Sequence, residues 1–167
     1  MNNHSATDFF VDRENKTITV KREFNAELPL VWDAYTKSEI LDQWWAPKPW
    51  KAKTKKMDFK EGGQWLYSMV DPNGEEHWSI EDYVLIQDKK KFTWLDAFSD
   101  SEGNINKDMP RSEWEVNFTD NGKSTLVEIL ISYDDLDQLD ATLKMGFKEG
   151  LIMAMDNLDD LLPSLKK

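Results

Sequence analysis

Cysteine is absent from the 167 residues, and histidine occurs only twice, as His4 and His77. The first absence excludes disulfides, thiolate chemistry and Cys-ligated metal centres. The scarcity of the second leaves no His-rich metal spacing. Neither a nucleophile elbow nor a phosphate-binding glycine loop is present, so no metal or cofactor is expected. No apolar run approaches the ~20 residues that span a bilayer. The N-terminus, "MNNHSATDFFVDRENK", lacks the basic start and apolar segment of a secretory signal. Cytoplasmic location is therefore the default expectation, with no membrane partner. Positive charge is also in short supply: 32 acidic against 21 basic residues give a net charge of −11. A field of that sign repels phosphate backbones, so nucleic acid is not an expected partner. The densest basic run, "KPWKAKTKK" at 48–56, alternates Lys51, Lys53 and Lys55 and reads as the solvated face of a strand.

What the chain has in quantity is apolar residues set at regular periods. "TITVKREFN" at 17–25 puts Ile18, Val20, Arg22 and Phe24 on one side, as in a half-buried strand. "AELPLVWDAYTKSEILDQWW" then changes period. Pro29 fits a first helical turn, and Leu30, Val31, Ala34 and Tyr35 follow at helical spacing. Leu41, Trp44 and Trp45 belong to a second short helix, which Pro47 and Pro49 stop. From 50 to 133 six strands follow, separated by Gly62-Gly63, the "DPNG" turn at 71–74, "QDKK", a polar loop at 99–110 and "TDNGK". Short turns between successive strands imply an antiparallel sheet. Leu136, Leu139, Leu143, Phe147, Leu151, Met155, Leu158 and Leu162 recur at intervals of three or four, which predicts one long amphipathic helix over 135–165. Four aspartates (134, 135, 137 and 140) gather at its start, where the helix dipole favours negative charge. The expected organisation is an N-terminal tail over 1–16, containing His4, and a single domain over 17–165.

This order resembles the helix-grip fold of the START-like (SRPBCC) superfamily. More narrowly, the chain resembles the family of proteins like the C-terminal domain of the activator of the heat-shock protein ninety ATPase. The likeness is carried by "FNAELPLVWDAYTKSEILDQWWAP" at 24–47, "MDFKEGGQWLYSMVDPNG" at 57–74, "FTWLDAFSDSEGN" at 92–104 and "GFKEGLIMAMDNLDDLL" at 146–162. It spans nearly the whole chain. The resemblance implies an α+β fold in which a curved antiparallel sheet of six or seven strands wraps a long C-terminal helix. It also implies a cavity between the two that relatives use for apolar ligands. Relatives often carry Gly-Trp in the last helix where this chain has Gly150-Leu151, so a pocket role for that tryptophan does not transfer. Enzymes of the cyclase or hydrolase kind occur elsewhere in the superfamily, and the family's name points to a chaperone-associated binding module.

The residues themselves are compatible with a ligand pocket. Eight tryptophans occur in the chain, and Trp65, Trp78, Trp94 and Trp114 fall one per strand on four successive strands. They read as fillers of the grip or as walls of an aromatic cavity. Trp44, Trp45 and Tyr67 are expected to join them from the helix pair and the strand of Trp65, and Phe147, Leu151 and Met155 from the helix. One of Trp44 and Trp45 is expected to pack and the other to wall the pocket, with Pro47 and Pro49 stiffening that segment. Gly146, Gly150 and Ala154 at i, i+4 and i+8 strip one lane of the helix, for close backbone approach or for a ligand. Asp96 alternates with Phe92, Trp94 and Phe98, and Asp82 with Trp78, Ile80, Val84 and Ile86. A carboxyl inside such a face has a raised pKa and is a candidate acid or base. Glu128, flanked by apolar residues on both faces, is a weaker third. His77, alone on a strand, reads as a surface residue able to reach a pocket mouth. "DSEGNIN" at 100–106 lacks the glycine position and terminal glutamate of a calcium loop. "GLIMAM" at 150–155 is apolar nearly all round, which fits burial on two sides or a homodimer contact. The leading expectation is a binding domain for an apolar or aromatic small molecule, with the pocket-carboxylate enzyme and the chaperone module as alternatives.

Overall fold

The structure, a computed structural model, describes residues 6–166; His4 lies outside the described residues. Strands β1 (Thr7–Asp12) and β2 (Thr17–Phe24) lead into helices α1 (Leu28–Thr36) and α2 (Ser38–Trp44). Six strands follow: β3 (Lys51–Met57), β4 (Gln64–Val70), β5 (Glu76–Gln87), β6 (Lys91–Phe98), β7 (Ser112–Asp120) and β8 (Thr125–Tyr133). Helices α3 (Leu136–Lys144) and α4 (Phe147–Leu165) close the chain. All eight strands form one antiparallel sheet in the order β1-β2-β8-β7-β6-β5-β4-β3. The helix pair carries the chain from β2 to the opposite edge, and the rest is a meander that returns to β2.

Two expectations about the ends of the domain need correction. Residues 7–12 are not tail but an edge strand, which pairs Phe9 with Val20 and Val11 with Ile18. That raises the strand count from the expected six or seven to eight. The predicted single helix over 135–165 is two helices. Asp135 caps the first by accepting a hydrogen bond from the Gln138 N–H at 2.8 Å. Gly146, at φ +84°, ends the first run and sits at the start of α4. A left-handed residue at this point costs a glycine little and any other residue more. Gly146 is therefore a hinge between helices rather than part of a bare lane, and only Gly150 and Ala154 lie within α4.

The concave face of the sheet grips α1, α2 and α4. Ile18, Val20 and Phe24 from β2 and Val127, Ile129 and Ile131 from β8 are fully buried there, as are Met155, Leu158 and Leu162 of α4. Each such side chain contributes about 1.5–3 kcal/mol of transfer free energy, so α4 is held by apolar area before any polar contact counts. Of "GLIMAM", Leu151, Ala154 and Met155 turn into this core while Met153 is exposed. Arg22, on the same face of β2 and only 1% exposed, donates to Asp156 Oδ1 at 2.8 Å, to Thr7 Oγ1 at 2.9 Å and to Asp159. It ties β1, β2 and α4 together.

The convex face carries a second, smaller apolar cluster. Leu66, Ile80 and Ala97 are buried, with Trp78 and Ile105 packed against them. Ile105 comes from the 99–110 loop, which folds back so that Asn106 N–H bonds Phe98 O at 2.8 Å. Asp100 organises the start of this loop by accepting from the N–H groups of Glu102 and Asn104, each at 2.9 Å.

Candidate functional site

Between sheet and α4 the packing leaves a cavity of about 210 Å³. Trp45 and Pro47 bound it from the end of the helix pair, Tyr67 and Met69 from β4, and Ser79 and Glu81 from β5. Asp96 and Phe98 come from β6, Trp114 from β7, and Phe147, Gly150 and Leu151 from α4. Five aromatic rings thus surround two carboxyls. Trp45 is the hub, with ring centroids 5.8 Å from Trp65, 5.9 Å from Trp94 and 6.0 Å from Trp114. Gly150 leaves its side of α4 open, since an added Cβ there meets only Pro47 Cγ, at 3.7 Å.

Of the twelve residues singled out in the sequence, Trp45, Tyr67, Asp96, Trp114, Phe147 and Leu151 line this space. Trp44 packs instead: it is 1% exposed and its indole donates to Ala34 O at 3.0 Å. Trp65, Trp94 and Met155 are likewise core, set behind the cavity wall. The Trp65 indole donates to Thr54 Oγ1 at 3.0 Å. Trp78 and Asp82 do not reach the cavity. Trp78 belongs to the convex cluster, with Lys55 Nζ over its ring. Asp82 accepts from Gln64 Nε2 at 2.8 Å and from Arg111 Nη2 at 3.1 Å. Glu128 is also half-exposed away from the grip, beside Lys21.

The carboxyl that takes the place expected of Asp82 is its neighbour, Glu81. The reason is a bulge. Leu85 faces Thr93, but Tyr83 faces Trp94, so Val84 is an extra residue in β5 and is 54% exposed. Without that residue the hairpin would set Asp82 opposite Asp96; with it, Glu81 is the direct cross-strand partner of Asp96. Partners across an antiparallel pair share a face, so both carboxyls point into the grip. A bulge of this kind has no firm signature in composition, and the apolar convex cluster makes the wrong face of β5 look like the core.

Glu81 is 1% exposed. Its Oε2 accepts from the Tyr67 hydroxyl at 2.8 Å, and that hydroxyl accepts from Trp45 Nε1 at 3.0 Å. Apart from the Asp96 carboxyl, no N–H or O–H among the described residues reaches its other oxygen, Oε1. Burial, then the neighbouring Asp96 charge and the hydrogen bond shared with it, push the Glu81 carboxyl well above its ordinary value. Burial also raises Asp96, against the pull of Glu81, Ser112 and the Arg111 charge. Ser112 Oγ lies 3.4 Å from Asp96 Oδ2 and accepts from Trp114 Nε1 at 3.0 Å. Both carboxyls are thus driven toward their protonated forms, Glu81 by burial and the Asp96 charge, Asp96 by burial. Burial and the two carboxyl charges likewise raise the Tyr67 hydroxyl, so it remains a neutral donor.

His77 is exposed, with its ring 4.9 Å from that of Trp50, and it does not line the cavity. Its Nε2 lies 3.1 Å from Asp71 Oδ2. With Glu75 these two form a group of three potential metal ligands at the surface turn between β4 and β5. Asp71 Oδ1 already receives the Asn73 and Glu75 N–H groups there. Among the described residues no helix is long and apolar enough to cross a membrane.

Solved structures share this architecture. The Mycobacterium smegmatis protein Ms6760 is 29% identical, with a TM-score of 0.86 over 93% of this chain and 96% of its own. An Arthrobacter aurescens protein is 23% identical, with a TM-score of 0.88 over 94% and 91%. One from Staphylococcus epidermidis is 24% identical, with a TM-score of 0.81 over 94% and 95%. The latter two likenesses speak to the fold alone. No curated protein matches the sequence. The profile of the family described as "Activator of Hsp90 ATPase homolog 1-like protein" matches residues 25–163. With the helix-grip fold and that match over most of its length, the chain belongs to the Activator of Hsp90 ATPase homolog 1-like family.

Proposed function

We propose that the chain is a small-molecule-binding domain that holds an apolar or aromatic ligand in the cavity between the sheet and α4. The observation that carries this reading is the cavity itself: 210 Å³ walled by aromatic rings with a few convergent polar groups. Binding sites have that chemistry, whereas a core built only for stability closes around its side chains. A cavity of about 150 Å³ accepts benzene, so this one suits a single ring with a short substituent.

Gly150→Leu tests the proposal, because the new side chain projects into the space that Gly150 leaves open. Replacing a helical glycine also favours the helix by about 1 kcal/mol, so lost binding in the variant is not lost folding. In the wild type, small aromatic compounds are expected to shift the indole N–H signals of Trp45 and Trp114 in NMR spectra. The same compounds should leave Gly150→Leu unchanged. Indole signals that never move at millimolar compound, or that move equally in both proteins, contradict the reading.

A second reading, catalysis, is favoured by one observation. Glu81 and Asp96 are cross-strand carboxyls on one cavity wall, both pushed above their ordinary values, as groups that exchange protons near neutral pH are. Its test is Asp96→Asn, which should abolish turnover of any substrate found while the thermal transition is retained. Unchanged turnover removes Asp96 from a mechanism.

A further inference from the structure

We propose that the ligand of this cavity is a small organic cation, an ammonium group attached to an apolar or aromatic body, whose N–H groups are received by Glu81 and Asp96. The proposal rests on the binding reading above and names the chemical class of its ligand.

The first ground is the balance of donors and acceptors on the wall. On the residues that line the cavity, every side-chain N–H or O–H is already engaged within the protein, apart from the Ser79 hydroxyl. Trp45 Nε1 is taken by Tyr67, the Tyr67 hydroxyl by Glu81, and Trp114 Nε1 by Ser112. On the acceptor side, Glu81 Oε1 is buried and, among the described residues, receives no N–H and no hydroxyl. Trp94 Nε1 and the Tyr83 hydroxyl also lack partners, but neither residue lines the cavity. A buried acceptor left unmet costs about 1–3 kcal/mol, and a ligand that brings a donor recovers it.

Charge is the second ground. No lysine, arginine or histidine lines the cavity. Arg111, the basic group near Asp96, is turned to Asp82 on the convex face at 3.1 Å. Glu81 and Asp96 thus line the cavity with no basic side chain on its wall. Trp45, Trp114 and Phe147 line the same cavity, with Trp114 and Phe147 centroids 5.9 Å apart. Aromatic walls beside a carboxylate are a combination that favours cations over neutral or anionic ligands of the same shape. Outside the cavity, the chain's net charge of −11 raises the local concentration of cations.

Benzylamine, benzyl alcohol and ethylbenzene have the same heavy-atom skeleton and differ in charge and donor capacity. Titration of the wild type with each at pH 7, followed by the Trp45 and Trp114 indole N–H signals, separates the contributions. Benzylamine is expected to bind at least about tenfold tighter than either neutral compound, the range of a charge-assisted hydrogen bond plus a cation–π contact. Asp96→Asn should remove that preference while ethylbenzene binding persists. If ethylbenzene or benzyl alcohol binds as tightly as benzylamine to the wild type, the cation proposal is overturned and the cavity reading stands. If none of the three moves the indole signals at millimolar concentration, both are overturned. The wild-type comparison needs no variant to fold.

Discussion

Arg22 and Glu81 are both ionisable, both on the concave face of the sheet and both 1% exposed. They are treated in opposite ways. Arg22 meets Asp156 and Asp159 of α4, and Thr7 of β1. The two aspartate side chains keep 32% and 12% of their surface in contact with solvent. That end of the grip is a clasp, with opposite charges facing each other and water helping from outside. At the other end Glu81 faces a second carboxyl, and among the described residues no basic side chain lines the cavity beside it; each of the two groups leaves one atom unpartnered, Arg22 Nε and Glu81 Oε1, so what differs is the charge they meet. Like-charged groups set side by side are costly in a core, so such a pair marks a position where something other than folding is served. The difference separates the part of the buried polar chemistry that builds the domain from the part open to a ligand.

The comparison can be broken first at the clasp. Arg22→Met removes the cation between β2 and α4 and should lower stability by about 3 kcal/mol or more in urea denaturation. A loss under about 1 kcal/mol would mean that the ion pairs are incidental. At the other end the sign reverses. Glu81→Gln keeps the acceptor for Tyr67, supplies an N–H to Asp96 and removes a carboxyl that resists ionisation. It should be more stable than the wild type by about 1 kcal/mol at pH 8.

The pH dependence of that gain follows from the direction of the shifts. Both carboxyls sit above their ordinary values of 4.5 and 3.8 in the folded protein. As pH rises past those values the unfolded chain releases its protons first. The stability that the protonated pair provides is full below the ordinary values and is lost as pH climbs through the folded ones. The advantage of Glu81→Gln should therefore shrink as pH falls toward about 4.5. Parallel stability curves for the two proteins would show that Glu81 ionises ordinarily. The smallest effect belongs to Asp82, one residue along and on the opposite face. With 28% of its side chain exposed and a partly exposed partner in Arg111, Asp82→Asn should change stability by about 0.5 kcal/mol or less. It should not change benzylamine affinity.

The strands, the helix pair and the aromatic filling were legible because each depends on a period or a turn. Ile18, Val20, Arg22 and Phe24 alternate, and the structure buries all four. Asp96 could be placed on the inner face for the same reason, from Phe92 and Trp94 beside it. The partner of Asp96 could not be read. The register of β5 on β6 depends on a bulge at Val84, which one residue of backbone geometry decides and no apolar pattern announces. Trp78 and Ile80 belong to the convex cluster under Ile105, so a second small core reversed the apparent inside and outside of β5. The joint at Gly146 escaped for a related cause. Leu143 and Phe147 keep helical spacing across it, and the pattern of side chains continues where the backbone does not.

The most direct test is an NMR titration of the side-chain carboxyl carbons of Glu81 and Asp96. Glu81 is expected to titrate well above 4.5 and Asp96 above 3.8, with each curve carrying the other's step because the two groups interact. Two independent titrations at the ordinary carboxyl values would contradict a buried, interacting pair, and with it the distinction between this end of the grip and the Arg22 clasp.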